Sequence, residues 1–274
     1  MIDQRDIEAF QQDGAVCLRQ VFDQAWLHKL EEGIRQNQAD PSPNSESLRA
    51  TADSGAFYND YCTWQRIPAF REFVYDSPAA EIVGRLMQSQ QAIFYHEHIL
   101  IKEPGTLKKT PWHHDQPYYP IDGSHMCSIW LPIDPVPLES SLQFVKGSHR
   151  WGRWYVPRKF ATAQNYQFKT DSAIESDTIF ETVPDVDNDP DSYEICSWEL
   201  EPGDCIVFHG LALHGAAEHT ALDTARRVFS ARWVGENARF ADRPWDISPP
   251  ITGGLKAGDP MVCDTFPLIW SGDN

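Results

Sequence analysis

The chain has 274 residues, 41% of them hydrophobic, enough to bury one sizeable core. Its formal net charge of −17 repels nucleic acid and anionic membrane surfaces, so a small-molecule partner is expected rather than DNA, RNA or a bilayer. The six cysteines, at 17, 62, 127, 196, 205 and 263, form no CxxC pair and suggest neither a zinc knuckle nor a disulfide framework. The N-terminus is charged from residue 3, unlike a signal peptide, and no apolar run reaches membrane-spanning length. A reducing cytoplasm is the expected setting; the oligomeric state stays open.

In chain order, residues 3–12 and 24–38 are expected as helices, from the spacing of Ile7 and Phe10 and of Trp26, Leu27, Leu30 and Ile34. The stretch 40–55 is a loop by composition. Residues 68–88 divide into two short helices at Ser77-Pro78. The period then changes. Strands are expected at 92–102, 125–133, 141–149, 205–215 and 227–235, separated by Pro and Gly turns. This is an α+β pattern, with strands forming a sandwich or jelly roll. A single domain spans 1–274: mainly helical over 1–90, a β core over 91–235 with an acidic insertion at about 159–195, and a C-terminal extension over 236–274. From Asp171 to Glu194 the insertion holds nine acidic residues and no Lys or Arg. It reads as a solvated loop or as a lid over the core.

The segment "TPWHHDQPYYPIDG" (110–123) carries the first chemical signal. In an extended segment alternate side chains share a face, so His113 and Asp115 point one way and His114 the other. Two such ligands need a third, and His125, His149, His209, His214 and His219 lie downstream. "GDCIVFHGLALHG" offers the two best, His209 and His214. Two His and one carboxylate make the facial triad of non-haem Fe(II) oxygenases. After His214 comes "ARRVFSARW", where a hairpin would bring Arg226 beside the strand carrying His214. That guanidinium could clamp a dicarboxylate co-substrate; the alternative is that Arg226 and Arg227 are a surface pair.

Taken together, "LIKEPGTLKKTPWHHDQPYYPIDG", "SIWLPIDPVPLESSLQFVKGSH", "GDCIVFHGLALHG" and "RRVFSARW" resemble the phytanoyl-CoA dioxygenase family of Fe(II)/2-oxoglutarate oxygenases, over roughly residues 5–235. The resemblance implies a double-stranded β-helix of the jelly-roll or cupin type with flanking N-terminal helices. It implies His113, Asp115 and His214 as iron ligands, and chooses His214 over His209 because the family ligand precedes small residues. It further implies Arg226 on the 2-oxoglutarate C5 carboxylate, four residues before Ser230, a polar side chain near the co-substrate at His96, and an aromatic one at Trp130. Two positions depart from the family pattern: His114 where Gln is frequent, and Ala216 where Ser is common. The activity implied is hydroxylation of an unactivated C–H bond, consuming O2 and 2-oxoglutarate and releasing succinate and CO2. A carboxylate at Asp115 leaves no vacancy for chloride, which favours hydroxylation over halogenation. A zinc hydrolase using the same three ligands, or a non-catalytic binding or sensor protein, are the competing readings.

Candidate substrate contacts are His98, His114, Tyr118, Tyr119 and Arg158. His96, His98 and Leu100 share one strand face. Tyr118, Tyr119, Trp151, Trp154 and Tyr155 could form an aromatic cage for an ammonium group, whereas Arg153, Arg158 and Lys159 could hold an anionic end.

Overall fold

In a computed structural model, which describes residues 2–169 and 179–272, the chain opens with α1 (Gln4–Asp13). Asp3 starts this helix by accepting the Arg5 and Asp6 N–H groups, and Gly14 ends it at φ 83°, a left-handed turn suited to glycine. Then come β1 (Ala15–Leu18) and α2 (Gln24–Ala39), the latter capped by Asp23. The stretch expected only as loop contains β2 (Glu46–Leu48), which pairs with β3 (Phe57–Tyr61). The helices expected across 68–88 are α3 (Pro68–Asp76) and α4 (Ala79–Leu86).

The remainder runs β4 (Gln91–Lys102), β5 (Thr110–His113), β6 (Ile121–Asp122), β7 (Met126–Pro132), β8 (Leu142–Val145), β9 (Trp154–Tyr155), β10 (Phe180–Glu181), β11 (Ile195–Cys196), β12 (Cys205–His209), β13 (His214–Ala216), β14 (Arg226–Val234), β15 (Arg239–Phe240) and β16 (Leu268–Ser271). Among the described residues there is an eight-stranded sheet, ordered β1-β12-β7-β14-β4-β3-β2 with β16 also on β4, and a four-stranded sheet, β11-β8-β13-β5. Pairings within both are antiparallel. The first 90 residues, expected as mainly helical, thus supply three strands of the larger sheet as well as the helices.

The single strand expected at 205–215 is two strands in two sheets, β12 and β13. The break falls at Gly210, where an added Cβ would stand 2.8 Å from Met126 Sδ and 3.1 Å from Gln116. A side chain there would have to displace Met126 or Gln116.

The helices cover one face of the larger sheet. Ile129, Leu131, Phe229, Ala231 and Trp233 are buried in one cluster with Phe70, Phe73, Val83 and Leu86. The other face and the smaller sheet enclose a cavity of about 410 Å3. Part of the acidic insertion, 170–178, lies outside the described residues. Further along, Val183 and Val186 are buried against Trp112, Tyr155 and Leu213, and Trp112 Nε1 donates to Asp187 Oδ1 at 2.8 Å. This acid-rich part packs behind the smaller sheet and, from 179 to 194, contributes no residue to the cavity wall. All six cysteines are unpaired. No described helix is long and apolar enough to cross a membrane.

Candidate metal centre

His113 and His214 face one another because β5 and β13 pair in that register, with ring centroids 4.2 Å apart. Asp115 reaches them by a different route from the expected strand alternation. The strand ends at His113, and Asp115 has helical dihedrals (φ −73°, ψ −46°) at the start of the turn over Gln116–Tyr118. Its Oδ1 lies 3.4 Å from His113 Nε2 and 3.7 Å from His214 Nε2. The three ligand atoms are within 4.8 Å of one another, on buried residues.

The surrounding hydrogen bonds set the donor atoms. His113 Nδ1 is 2.8 Å from the Pro111 carbonyl and His214 Nδ1 is 2.9 Å from that of Ala212. A carbonyl only accepts, so each Nδ1 carries the proton and each Nε2 offers its lone pair to the cluster. Asp115 Oδ2 accepts from Ser128 Oγ at 2.8 Å and from Arg232 Nη2 at 3.4 Å, leaving Oδ1 free for a metal. Burial would raise the Asp115 carboxyl, but Arg232 and the two imidazoles outweigh it and hold the group well below its ordinary range. Burial, followed by the neighbouring His113, pushes His214 down to about 3. An ionised Asp115 and a neutral His214 are what a cation requires, and two imidazole nitrogens with one carboxylate oxygen, bordering an open cavity, form the donor set of mononuclear non-haem iron.

The other candidate histidines have structural partners or lie elsewhere. His209 Nε2 donates to Ser124 O at 2.8 Å while its Nδ1 accepts from Leu211 N at 3.0 Å. His149 bonds Gln11 O at 3.1 Å, and His219 bonds Thr224 O at 2.8 Å. Neither these three nor His125 lines the cavity.

Arg226 does line it, although not through the expected hairpin with β13. It lies in the opposite sheet, on β14 between β7 and β4. The guanidinium is buried, donates Nη1 to Ser140 O, sits 5.3 Å from the Trp130 ring centroid, and has no partner for Nε. Burial alone lowers it to about 10. Ser230 Oγ, farther along the same face, is also buried without a partner. An uncompensated guanidinium beside an orphan hydroxyl fits a ligand carboxylate.

Across the sheet, Arg232 pairs in register with His96 and Ser230 with His98. Both imidazoles line the cavity, and burial followed by the Arg232 charge lowers both, His98 to about 3. Tyr118, Tyr119 and Arg158 line it too. The Tyr118 hydroxyl accepts the Arg158 N–H at 2.9 Å, tying this turn to the 158–165 segment. His114 requires correction as a substrate contact. It is not among the cavity-lining residues, and its ring packs 4.6 Å from that of Tyr155. The aromatic cage is likewise not built. Trp151, Arg153 and Tyr155 border a separate surface pocket, and Trp154 lies beneath Arg243.

Arg232 is the principal site residue missed. It shares the inward face with Arg226, Val228 and Ser230, and that alternation was present in "RRVFSARW". Its contact with Asp115 joins residues far apart in sequence and left no sequence signal.

The site and fold define a class: a two-sheet protein with a buried His-Asp-His centre. The phytanoyl-CoA dioxygenase (PhyH) family profile matches residues 10–228, and the chain belongs to that family. Membership makes it a non-haem iron, 2-oxoglutarate-dependent enzyme. Its fold is similar to that of SnoN, a non-heme alpha-ketoglutarate-dependent epimerase from nogalamycin biosynthesis, with TM-score 0.72 and 20% identity over 97% of each chain. It is similar also to SnoK, a carbocyclase from the same biosynthesis, with TM-score 0.73 and 20% identity over 98% of this chain and 96% of the other. EctD from S. alaskensis, solved with 2-oxoglutarate and 5-hydroxyectoine, matches with TM-score 0.64 and 17% identity over 94% of this chain and 85% of that one. At these identities the likeness is one of fold. A sequence comparison with curated proteins found no match.

Proposed function

We propose that the protein is an Fe(II)/2-oxoglutarate-dependent hydroxylase of a small organic molecule, its two sheets being the halves of a double-stranded β-helix. One observation carries this reading: a single cavity contains both the buried His113, Asp115 and His214 donors and the uncompensated Arg226. In this reading the triad holds iron. Arg226 takes the far carboxylate of 2-oxoglutarate through paired hydrogen bonds, with Ser230 beside it and Trp130 against the guanidinium. Iron, 2-oxoglutarate and O2 supply oxidation of an unactivated C–H bond, with release of succinate and CO2.

The chain's own residues orient and enclose. Ser128 and Arg232 keep Oδ2 of Asp115 turned away from the donor cluster. The Pro111 and Ala212 carbonyls fix the imidazole tautomers. Phe160 and Tyr118, 5.0 and 5.8 Å from the His113 ring, exclude water from its outer side. The carboxylate of Asp115 favours hydroxylation over halogenation. A cavity of about 410 Å3 is at the small end of ligand pockets, roughly 300–1,000 Å3. Since it must hold co-substrate and substrate together, the substrate is small. The 5-hydroxyectoine bound to EctD is consistent with hydroxylation, although SnoN and SnoK are named for other outcomes.

Succinate release from 2-oxoglutarate, screened against candidate metabolites, tests the reading. Release is expected with Fe(II) and not with Zn(II). Hydrolysis supported by Zn(II) without 2-oxoglutarate would indicate the hydrolase instead, to which Arg226 is of no use. Metabolite binding with no 2-oxoglutarate binding would indicate a sensor.

A further inference from the structure

The cavity has two cationic poles on one strand. Arg226 and Arg232 both point inward from β14, roughly 20 Å apart at their Cα positions by strand rise, with Ser230 between them. The Arg226 pole is closed by Trp130, Leu142 and Phe208. The Arg232 pole is walled by hydrogen-bonding groups: His96, His98, Asn59, Tyr61 and Tyr119.

Arg232 is buried, with three of its five N–H groups committed. Nε donates to Tyr119 Oη at 3.1 Å, Nη1 to Ser230 O at 3.1 Å, and Nη2 to Asp115 Oδ2 at 3.4 Å. Next to it, His96 Nδ1 is buried with no partner, while His98 Nε2 is 3.2 Å from Asn59 Oδ1. Unmet donors and acceptors at a cavity wall are there to be met by something bound.

Charge narrows what that is. Of the charged side chains lining the cavity, Asp115, Arg226 and Arg232 are buried, one negative charge against two positive; Glu46, Arg158 and Lys159 also line it, at more exposed positions where water screens them. Burial and the Arg226 charge lower Lys102 to about 6, so it adds little at neutral pH. Glu97 neighbours Arg232 from the opposite face of β4. Its Oε1 accepts from the Thr63 hydroxyl at 2.8 Å, and burial raises it to about 7, which makes it an incomplete counter-charge. A divalent iron and a doubly charged 2-oxoglutarate cancel. Among the buried groups one positive charge remains, at the pole that 2-oxoglutarate does not use.

Resting on the reading above, we propose that the Arg232 pole, with His96, His98 and Asn59, is the substrate subsite and that it selects a small substrate carrying a single carboxylate. The carboxylate pairs with the uncommitted N–H groups of Arg232, and the neutral imidazoles and the Asn59 amide supply further hydrogen bonds. An ammonium group is repelled there, and the aromatic cage that would favour one is absent among the described residues.

The test uses the full chain without oxygen, loaded with Fe(II) and saturating 2-oxoglutarate so that the Arg226 pole is filled. The visible charge-transfer band of iron-bound 2-oxoglutarate is recorded first; its absence would overturn the proposed function, and this inference with it. With the band present, benzoate, hexanoate and cyclohexanecarboxylate are each titrated against the matching primary amide and amine, following the band and, separately, the thermal unfolding midpoint. Each carboxylate that binds should do so at least about tenfold more tightly than its amide, and the amines should not bind. Arg232→Gln should weaken carboxylate binding roughly 30-fold or more, and Arg232→Lys should recover part of it. No carboxylate preference in any pair, or an unchanged preference in Arg232→Gln, overturns the inference while leaving the proposed function standing. Should Arg232→Gln lose iron through its contact with Asp115, the wild-type preference alone decides.

Discussion

The two faces of β14 share one backbone and live in different surroundings. Outward, Phe229 lies 4.9 Å from Phe70 and 5.0 Å from Phe73, Trp233 lies 4.8 Å from Phe94, and Arg227 at the strand's start pairs with Asp134 and Glu31 at 2.7 and 2.9 Å. Inward, Arg226 has no carboxylate among the described residues, the Ser230 hydroxyl has no partner, and Arg232 borrows a carboxylate that is also a candidate metal ligand. The outer face is packed and its charge is paired, with Trp233 Nε1 a lone buried donor without a partner among its named residues; the inner face gathers charged and hydroxyl groups that are buried and left wanting. Burying polar groups unpaired costs stability, and the aromatic packing on the other side of the same strand offsets that cost. Where a strand combines both, the unsatisfied side is where ligands belong.

The largest effects should come from the centre that the inner face looks onto. His113→Ala, Asp115→Ala and His214→Ala should each weaken Fe(II) binding at least about 100-fold, beyond the 10–100-fold typical of residues that merely support ligands. His209→Ala should keep the metal, because that imidazole serves Ser124 and Leu211. Iron content after anaerobic reconstitution and dialysis reads both outcomes. Metal loss in His209→Ala with retention in His214→Ala would break the assignment.

Next in size is the contrast between adjacent arginines. Arg226→Ala removes a charged, paired contact, about 2–5 kcal/mol, and should lower 2-oxoglutarate affinity roughly 30-fold or more. Arg227→Ala removes an ion pair on the other face, worth about 0–1 kcal/mol of stability, and should leave that affinity nearly unchanged. Anaerobic calorimetry with 2-oxoglutarate on both variants makes the comparison. Equal losses would mean that the two faces are not functionally distinct.

Much of this contrast was legible before any coordinates. Central strands repeat with period two, so β4, β7 and β14 and the faces shared by His96 with His98 and by Arg226 with Ser230 could be read from the sequence, whereas the places of His96 and Trp130 near the co-substrate came from the family resemblance. Two other features could not. The run "CIVFHGLALHG" looks continuous because apolar residues continue through it, yet the chain changes sheets at Gly210 under the crowding of Met126 and Gln116. "FYNDY" carries no clean alternation because polar residues are buried on both faces of β3, Asn59 on the side that lines the cavity and Asp60 on the other. The ligand set followed from the HxD spacing and the family pattern, but Asp115 arrives by a turn rather than by strand geometry. Long-range pairings such as Arg232 with Asp115, and the separation of Trp151 and Trp154 from the cavity, depend on how loops fold back, which no local pattern encodes.

The smallest effect concerns Lys102, which pairs in register with Arg226 at the inner end of β4. It is fully buried and donates Nζ to Ala217 O at 2.6 Å. Burial, then the Arg226 charge, lowers its pKa from 10.5 to about 6. The folded state therefore releases this proton above about 6, whereas the unfolded chain keeps it up to about 10.5. Between those values the unfolded state binds more protons, so stability rises with pH across that window and is lost as pH falls towards 6, below which the effect is constant. Lys102→Met removes the titrating group but leaves the Ala217 carbonyl without its donor, a loss of about 1–3 kcal/mol. Taking that loss as about 2 kcal/mol, the variant should be more stable than the wild type by about 3 kcal/mol at pH 7, and the advantage should vanish at about pH 9 and reverse above it. Urea unfolding of both proteins at pH 7 and pH 9.5 measures this. A stability difference that stays the same at the two pH values would show that Lys102 is not held neutral by the inner face, and the contrast between the two sides of the sheet would then rest on Arg226, Ser230 and Arg232 alone.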